Sequence, residues 1–247
     1  MGVYFNINLE FNHKVLLHKV EDSIKSRQKG YVCVVDGNVL ATTHQDDSYK
    51  KIINGSIVNA CDGSSIAILA GLIHHEKFTT FTGPELFTEF VSKNYKQYFL
   101  GNTEENLKSL KTKFEKENFN LELFKFQSLP FKSVEDFDYN IIAKDINDFL
   151  PDIVWVSLGA PKQERFISKL LPEIKQGVLF AIGAAFNLYI DDDCNKRAPD
   201  IFRKMHLEWI YRICQEPKRV GKRALNYLKI IPVIIMNELR KGKQNLN

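Results

Sequence analysis

A chain of 247 residues, 44% hydrophobic and 26% charged, is long enough to bury one sizeable core or at most two small domains. Aromatic content of 12%, including 18 Phe, with only 13 Gly and 8 Pro, excludes a disordered, fibrous or low-complexity chain. The formal charge of +4 is uneven: residues 218 to 247 hold eight Lys or Arg against Glu238 alone, a local +7 that leaves the rest of the chain at −3.

The first 29 residues are polar and weakly patterned. Gly30 to Val35 is a short β-branched run that reads as a buried strand, with Asp36-Gly37-Asn38 as its exit turn. Ser48 to Ile53 reads as helix and Ser56 to Ala60 as a second strand. Cys61-Asp62-Gly63 then turns into a helix that Ser64 or Ser65 could cap and that runs through His74. Pro84 suits a first helical turn. Tyr98 to Leu100 is a strand, and Gly101-Asn102-Thr103 opens a charged helix through Lys116. Phe119 to Phe126 is predicted as strand and Ser133 to Phe149 as helix. Asp152 to Leu158 is an apolar strand of the kind buried on both faces, and Gly159-Ala160-Pro161 breaks it to start a helix to Leu171. Val178 to Ile182 is the last clear strand. Strands alternating with helices at this spacing predict an α/β, Rossmann-like fold with a largely parallel sheet flanked by helices. A basic helical appendage at residues 196–247 would follow a catalytic body at residues 1–195.

Cys33, Cys61, Cys194 and Cys214 form no CxxC pair and fit neither a zinc site nor a disulfide framework, which points to a reducing cytosol. The N-terminus lacks the basic start and apolar run of a secretory signal, and Asn6 stands where an N-myristoylation signal would want Ser or Thr. The expectation is an uncleaved cytoplasmic protein.

In parallel α/β sheets, ligands bind where strands end and helices begin, because helix N-termini offer unpaired N–H groups and partial positive charge. The candidate exits are Asp36-Gly37-Asn38, Asp62-Gly63, Gly101-Asn102 and Gly159-Ala160-Pro161-Lys162-Gln163-Glu164, with Gly183 after the last strand. None matches GxGxxG or the P-loop pattern, which removes most of the case for a nicotinamide dehydrogenase or a P-loop ATPase. Asp62, beside a glycine at a strand-to-helix turn, is placed to take a proton from a hydroxyl nucleophile; the alternative duty is an Asx turn or N-cap. Lys162, Gln163 and Glu164 together could hydrogen-bond a nucleotide or diphosphate, or simply form a solvated first turn. Asp191-Asp192-Asp193 tempts a metal reading, but Lys196 and Arg197 follow at once and could bind phosphate unaided, so neither metal nor cofactor is expected. His74 and His75 are adjacent on a helix and make a poor ligand pair.

A helix through Leu207, Ile210, Tyr211 and Cys214 carries Arg212 at i,i+4 from Glu208; with Arg197, Arg219 and Arg223, Arg212 could contribute to an anion-binding surface. Ala224 to Leu239 is apolar but interrupted by Asn226, Lys229, Pro232 and Glu238. It is too short and polar to span a bilayer, yet suited to lie in an anionic membrane interface or to pack on the body.

These motifs occur together in a known family. Leu158 to Glu164, Arg197-Ala198-Pro199, Leu207 to Arg212, Glu216-Pro217 and Arg219 follow in order, with Asp62-Gly63 upstream, and the chain from about Gly30 to Arg223 resembles the WecG/TagA/CpsF glycosyltransferases of bacterial surface polysaccharide synthesis. The resemblance implies inverting, metal-independent transfer of N-acetylmannosamine, or its uronic acid, from a UDP donor to an undecaprenyl-diphosphate-linked saccharide. It implies Asp62 as general base, and an arginine-bearing appendage that closes the site at the inner face of the cell membrane. Two positions depart from the family pattern: Val34-Val35-Asp36 stands where relatives typically read Thr-Pro-Asn, and Thr80 stands at an arginine position that Lys77 could serve. The partners implied are a UDP-sugar, a lipid-linked saccharide and an anionic membrane surface, without nucleic acid; a homo-oligomer is compatible with the sequence. The rival from another class is a non-catalytic nucleotide-sugar or polyanion-binding protein whose basic tail contacts membrane or nucleic acid.

Overall fold

The computed structural model describes residues 2–190 and 217–244, with side chains in the last segment from 221 to 240. Its centre is a sheet of six parallel strands: β3 (Gly30–Val35), β4 (Val58–Cys61), β5 (Gln97–Gly101), β6 (Phe124–Gln127), β7 (Ile153–Ser157) and β8 (Val178–Ala181), in the spatial order β4-β3-β8-β7-β5-β6. Every residue of β3, β4, β5, β7 and β8 is buried, which is why these segments read as unbroken apolar runs rather than alternating ones.

Side chains alternate between two cores. On one face, Tyr31, Cys33, Tyr98 and Val154 pack under α2 (Gly37–Gln45), α3 (Asp47–Asn54), α4 (Ser64–His74), α7 (Tyr139–Phe149), α8 (Lys162–Leu170) and the C-terminal helix (Pro217–Gln244). On the other, Phe99, Trp155 and Phe180 pack under α1 (His13–Lys25), α5 (Gly83–Val91), α6 (Glu104–Lys116) and α9 (Ala185–Ile190). Crossovers moving one way along the sheet (β3 to β4, β6 to β7, β7 to β8) carry helices on the first face. Those moving the other way (β4 to β5 through α5, β5 to β6) carry them on the second, as a single crossover hand requires. The helices leaving β3, β8, β7 and β5 therefore alternate between faces, and in such sheets the crevice that takes ligand lies at the tips of these strands.

The polar atoms around Trp155 are paired. Trp155 is fully buried, and its Nε1 donates to Gln97 Oε1 at 2.8 Å, while Gln97 Nε2 donates to the carbonyls of Phe90 and Val91.

Four expectations are corrected. The N-terminal stretch is ordered: β1 (Gly2–Tyr4) and β2 (Ile7–Leu9) form a hairpin, and α1 follows. Its turn, Phe5-Asn6, has φ of 51° and 64°, the geometry of a two-residue primed turn, but lacks the Asn-Gly pair that signals one in sequence. In α1, Asn12 caps the start and Leu16, Val20 and Ile24 give a buried stripe one residue wide, too narrow to stand out among charged neighbours. Asp36-Gly37-Asn38 starts helix α2 rather than a plain turn. Of Phe119 to Phe126 only the end is strand, preceded by a single 3-10 turn at Leu121–Leu123; Ser133 to Phe149 becomes helical in earnest only at Tyr139, where Asp138 caps α7. The other predicted strands and helices up to Ile182 fall where expected, within a residue or two at their ends; the C-terminal helix is longer than the Ala224–Leu239 segment, at Pro217–Gln244, and the predicted helix through Leu207 and Cys214 lies outside the described residues.

Candidate active site

Two groups of strand exits meet the crevice. In the first, the Asp62 N–H donates to Val35 O at 3.0 Å, so the β4 exit leans on the end of β3. A Cβ on Gly63 would lie 3.0 Å from Ile66 Cδ1 and in ordinary contact, 3.6 Å, with the backbone nitrogen of Gly37, so the β3 and β4 exits lie side by side. The N-cap of α4 is Gly63, without a side-chain cap; neither Asp62 nor Ser64 or Ser65 caps the helix as the sequence allowed. That duty falls instead on Asp36 at the β3 exit, whose carboxylate accepts from Val39 N–H at 2.8 Å. Asn38 is in the first turn of α2, half-buried. Asp62 is also half-buried and carries no capping role.

The second group joins β5, β7 and β8. Gly101, at φ of 95°, lies so close to β7 that a Cβ would stand 2.8 Å from Ser157 O, and Asn102 N–H donates to the same carbonyl at 3.1 Å. Asn102 Nδ2 donates to Asn187 Oδ1 at 2.7 Å, and Ser157 Oγ donates to Gly183 O at 2.7 Å. Gly159 and Gly183 both direct their N–H groups at Gln163 Oε1, each at 3.0 Å. Gln163 and Glu164 thus sit beneath the crevice, 3% and 0% exposed, rather than in it. Lys162 holds its ammonium over the rings of Phe131 and Phe137, at 5.0 and 5.2 Å, on the side of the connection from β6 to α7.

The C-terminal helix spans both groups. A Cβ on Gly37 would come within 2.8 Å of the Tyr227 ring, the Ser65 hydroxyl lies 3.3 Å from Tyr227 Oη, and Arg223 donates to Ala160 O at 3.3 Å. Further along, Glu238, 2% exposed, accepts from Phe5 N–H at 2.8 Å and meets His74 Nε2 at 3.2 Å. Tyr227, Ser157 and Asn187 were not singled out by the sequence; the only trace was a serine ending an otherwise apolar strand. Arg197, Arg212 and Asp191 to Asp193, with Cys194 and Cys214, lie outside the described residues, and of Arg219 only the helical backbone is described.

The family model described as "Glycosyl transferase WecG/TagA/CpsF family" matches residues 4–245. The chain belongs to that family. It is therefore a glycosyltransferase, and the non-catalytic alternative is set aside. Among curated relatives, proteins of Staphylococcus aureus strains MW2 and NCTC 8325, both named N-acetylglucosaminyldiphosphoundecaprenol N-acetyl-beta-D-mannosaminyltransferase, are 26% identical over 251 residues, covering 97% of this chain and 93% of each relative. At the two positions that depart from the family pattern, Val34 is buried in β3 and the Thr80 carbonyl lies 2.8 Å from His13 Nε2, while Lys77 is exposed.

In this glycosyltransferase the most perturbed carboxyl near the crevice is Glu164. Burial, above all, pushes it up to about 7, with the Asp36 carboxylate acting in the same direction, while Gln163 and Tyr49 pull the other way. The folded chain then keeps this proton up to about pH 7, whereas the unfolded chain releases it near 4.5. Stability is thus fullest below that window and falls as pH rises through it, by on the order of 3 kcal/mol. Glu164→Gln is expected to flatten this part of the stability curve, measured by urea denaturation from pH 4.5 to 8; an unchanged slope would exclude the carboxyl as its source.

Proposed function

We propose that the enzyme transfers an N-acetylmannosamine-type sugar from a UDP donor to an undecaprenyl-diphosphate-linked saccharide, by a single displacement with inversion and without a metal. What supports this reading is that Asp62 stands at the exit of β4 beside the end of β3 while Arg223 of the C-terminal helix reaches the Ala160 carbonyl at the exit of β7, in a chain aligned almost end to end with relatives named for that transfer. Asp62 takes the proton as the acceptor hydroxyl attacks the anomeric carbon, and UDP departs. Negative charge then grows on the diphosphate. The N-termini of α6 and α8 and the guanidinium of Arg223 are set before reaction to stabilise it, joined by Arg197, Arg212 and Arg219 from the C-terminal part.

The appendage brings the site to lipid. Among the described residues no helix is long and apolar enough to cross a membrane. The C-terminal helix buries Tyr227, Ile230 and Ile234 on the body, yet exposes Leu225, Leu228, Val233, Met236 and Leu239 on its outer side, with Lys222, Lys229 and Arg240 beside them. That surface suits an anionic membrane interface at the cytoplasmic leaflet, and α4 adds exposed Ile68 and Leu72.

The test is a melting-temperature and transfer screen with UDP-N-acetylmannosamine, its uronic acid analogue and lipid-linked N-acetylglucosamine. A rise in melting temperature with UDP compounds but not with oligonucleotides, and transfer undiminished in EDTA, are expected. Absence of any UDP-induced shift would overturn the donor assignment, and loss of transfer in EDTA would bring Asp191 to Asp193 forward as metal ligands.

A further inference from the structure

We propose that Glu164 is a positioning residue of the transfer site: it holds the Gln163 carboxamide in the one orientation that pins the exits of β7 and β8 together. The functional consequence rests on the transferase reading, whereas the clasp itself is a property of the free protein.

The orientation of Gln163 follows from its neighbours. Two backbone N–H groups, from Gly159 and Gly183, converge on one terminal atom of its amide, and that atom must be the oxygen. The nitrogen then faces Glu164, donating to Oε1 at 2.9 Å. A flipped amide would set its NH2 against two N–H donors, so the two glycines fix the choice, and Glu164 Oε1 receives the N–H that this orientation turns toward it. The clasp acts on a flexible spot: Gly159 and Gly183 have φ of 78° and 57°, conformations that only glycine adopts freely, and nothing lies within 4 Å of where a Gly159 Cβ would be. Without the shared acceptor these two exits would have many backbone conformations open to them.

Packing alone does not account for a glutamate here. Glu164 is fully buried, and besides Gln163 the polar group that faces its carboxyl is the Tyr49 hydroxyl. The ionisable groups that bear on it are Tyr49 of α3, Asp36 at the start of α2 and Cys33 of β3, none of them cationic. An apolar side chain of similar volume would fill the space without the desolvation cost of an acid. What an apolar side chain could not supply is an acceptor, for Gln163 Nε2 and for the Tyr49 hydroxyl.

The test compares the natural chain, Glu164→Met, which keeps volume and removes the acceptor, and Glu164→Gln, which restores a carbonyl. Amide hydrogen exchange at Gly159 and Gly183 is measured by NMR on ligand-free protein, and kcat and KM with UDP-N-acetylmannosamine and the lipid-linked acceptor. Glu164→Met is expected to speed exchange at both glycines roughly ten-fold or more while exchange in β3 and β7 stays unchanged, and to lower kcat/KM by about ten-fold or more. Glu164→Gln is expected to rescue both to within about three-fold. Gln163→Leu, with Glu164 intact, should reproduce the faster exchange even where Glu164→Met does not fold. Unmoved glycine exchange in Glu164→Met or Gln163→Leu, faster exchange with unmoved kinetics, or failure of Glu164→Gln to rescue would each overturn the proposal. If the natural chain neither binds the donor nor transfers, the functional reading fails by itself and the exchange data still decide the clasp.

Discussion

Asp62→Asn is expected to lower kcat for transfer to a lipid-linked acceptor by about a hundred-fold to ten-thousand-fold, the usual range for removing a general base, with little change in KM for the UDP donor. The substitution keeps size and hydrogen-bonding reach, so what it removes is the capacity to hold a proton. The structure makes this a clean test. Asp62 is anchored through its backbone N–H to Val35 O, and α4 is capped by Gly63 rather than by the Asp62 carboxylate. No helix therefore loses its cap, and the melting temperature, measured alongside, separates loss of chemistry from loss of fold. Had Asp62 been the N-cap, the same substitution would have mixed stability with chemistry, because caps contribute on the order of 1 kcal/mol. Near-normal turnover with an intact fold would remove Asp62 from the role and direct attention to Asp36 at the neighbouring exit. Asp36 does cap its helix, and its replacement should show in the melting temperature.

The contrast between these two aspartates shows what could be read from the sequence and what could not. The doubly buried strands were plain, since an apolar run such as Ile153 to Ser157 has no other place in a soluble α/β fold. So were the exits, because glycine, asparagine and proline mark where a strand must release the chain. Which acid caps a helix was not readable: Asp36-Gly37-Asn38 and Asp62-Gly63-Ser64 are alike as strings, and only the dihedral angles and the Val39 N–H separate them. Likewise, Lys162-Gln163-Glu164 reads as one polar block, but the helical turn sends Lys162 to a pair of aromatic rings and turns Gln163 and Glu164 inward. A hundred-degree rotation per residue decides this, and composition carries no record of which rotation faces the ligand. The hairpin and α1 went unread because their apolar residues, Phe5, Ile7, Leu9, Leu16, Val20 and Ile24, are spaced among polar ones and gain meaning only against the sheet they cover.

The same rotation explains the C-terminal helix, which the sequence left between two roles. Tyr227, Ile230, Ile234 and Glu238 recur at three- and four-residue steps and pack on the body; Leu225, Leu228, Met236 and Leu239 occupy the opposite side and are half-exposed or more. A helix apolar on two faces satisfies both readings at once, since one face docks while the other stays free. Leu228→Glu with Met236→Glu is then expected to leave the fold and UDP binding intact, because neither side chain is among those buried on the body. Vesicle binding should fall by a hundred-fold or more. Inserting an exposed Leu or Met gains on the order of 1 kcal/mol when half its surface leaves water, and each introduced carboxylate adds repulsion from anionic lipid of about the size that a nearby Lys contributes as attraction. Summed over two sites this is roughly 4 kcal/mol, enough to separate a bound from a free protein at micromolar lipid. The measurement is flotation with vesicles containing anionic phospholipid, beside vesicles of zwitterionic lipid alone, with the UDP-induced melting shift as the control for an intact site. Transfer to a long-chain lipid-linked acceptor in vesicles should fall with flotation, while transfer to a short-chain, water-soluble acceptor should not. Unchanged flotation would show that the outer stripe is not the surface that meets lipid, and equal losses with both acceptors would show that the helix serves the crevice alone.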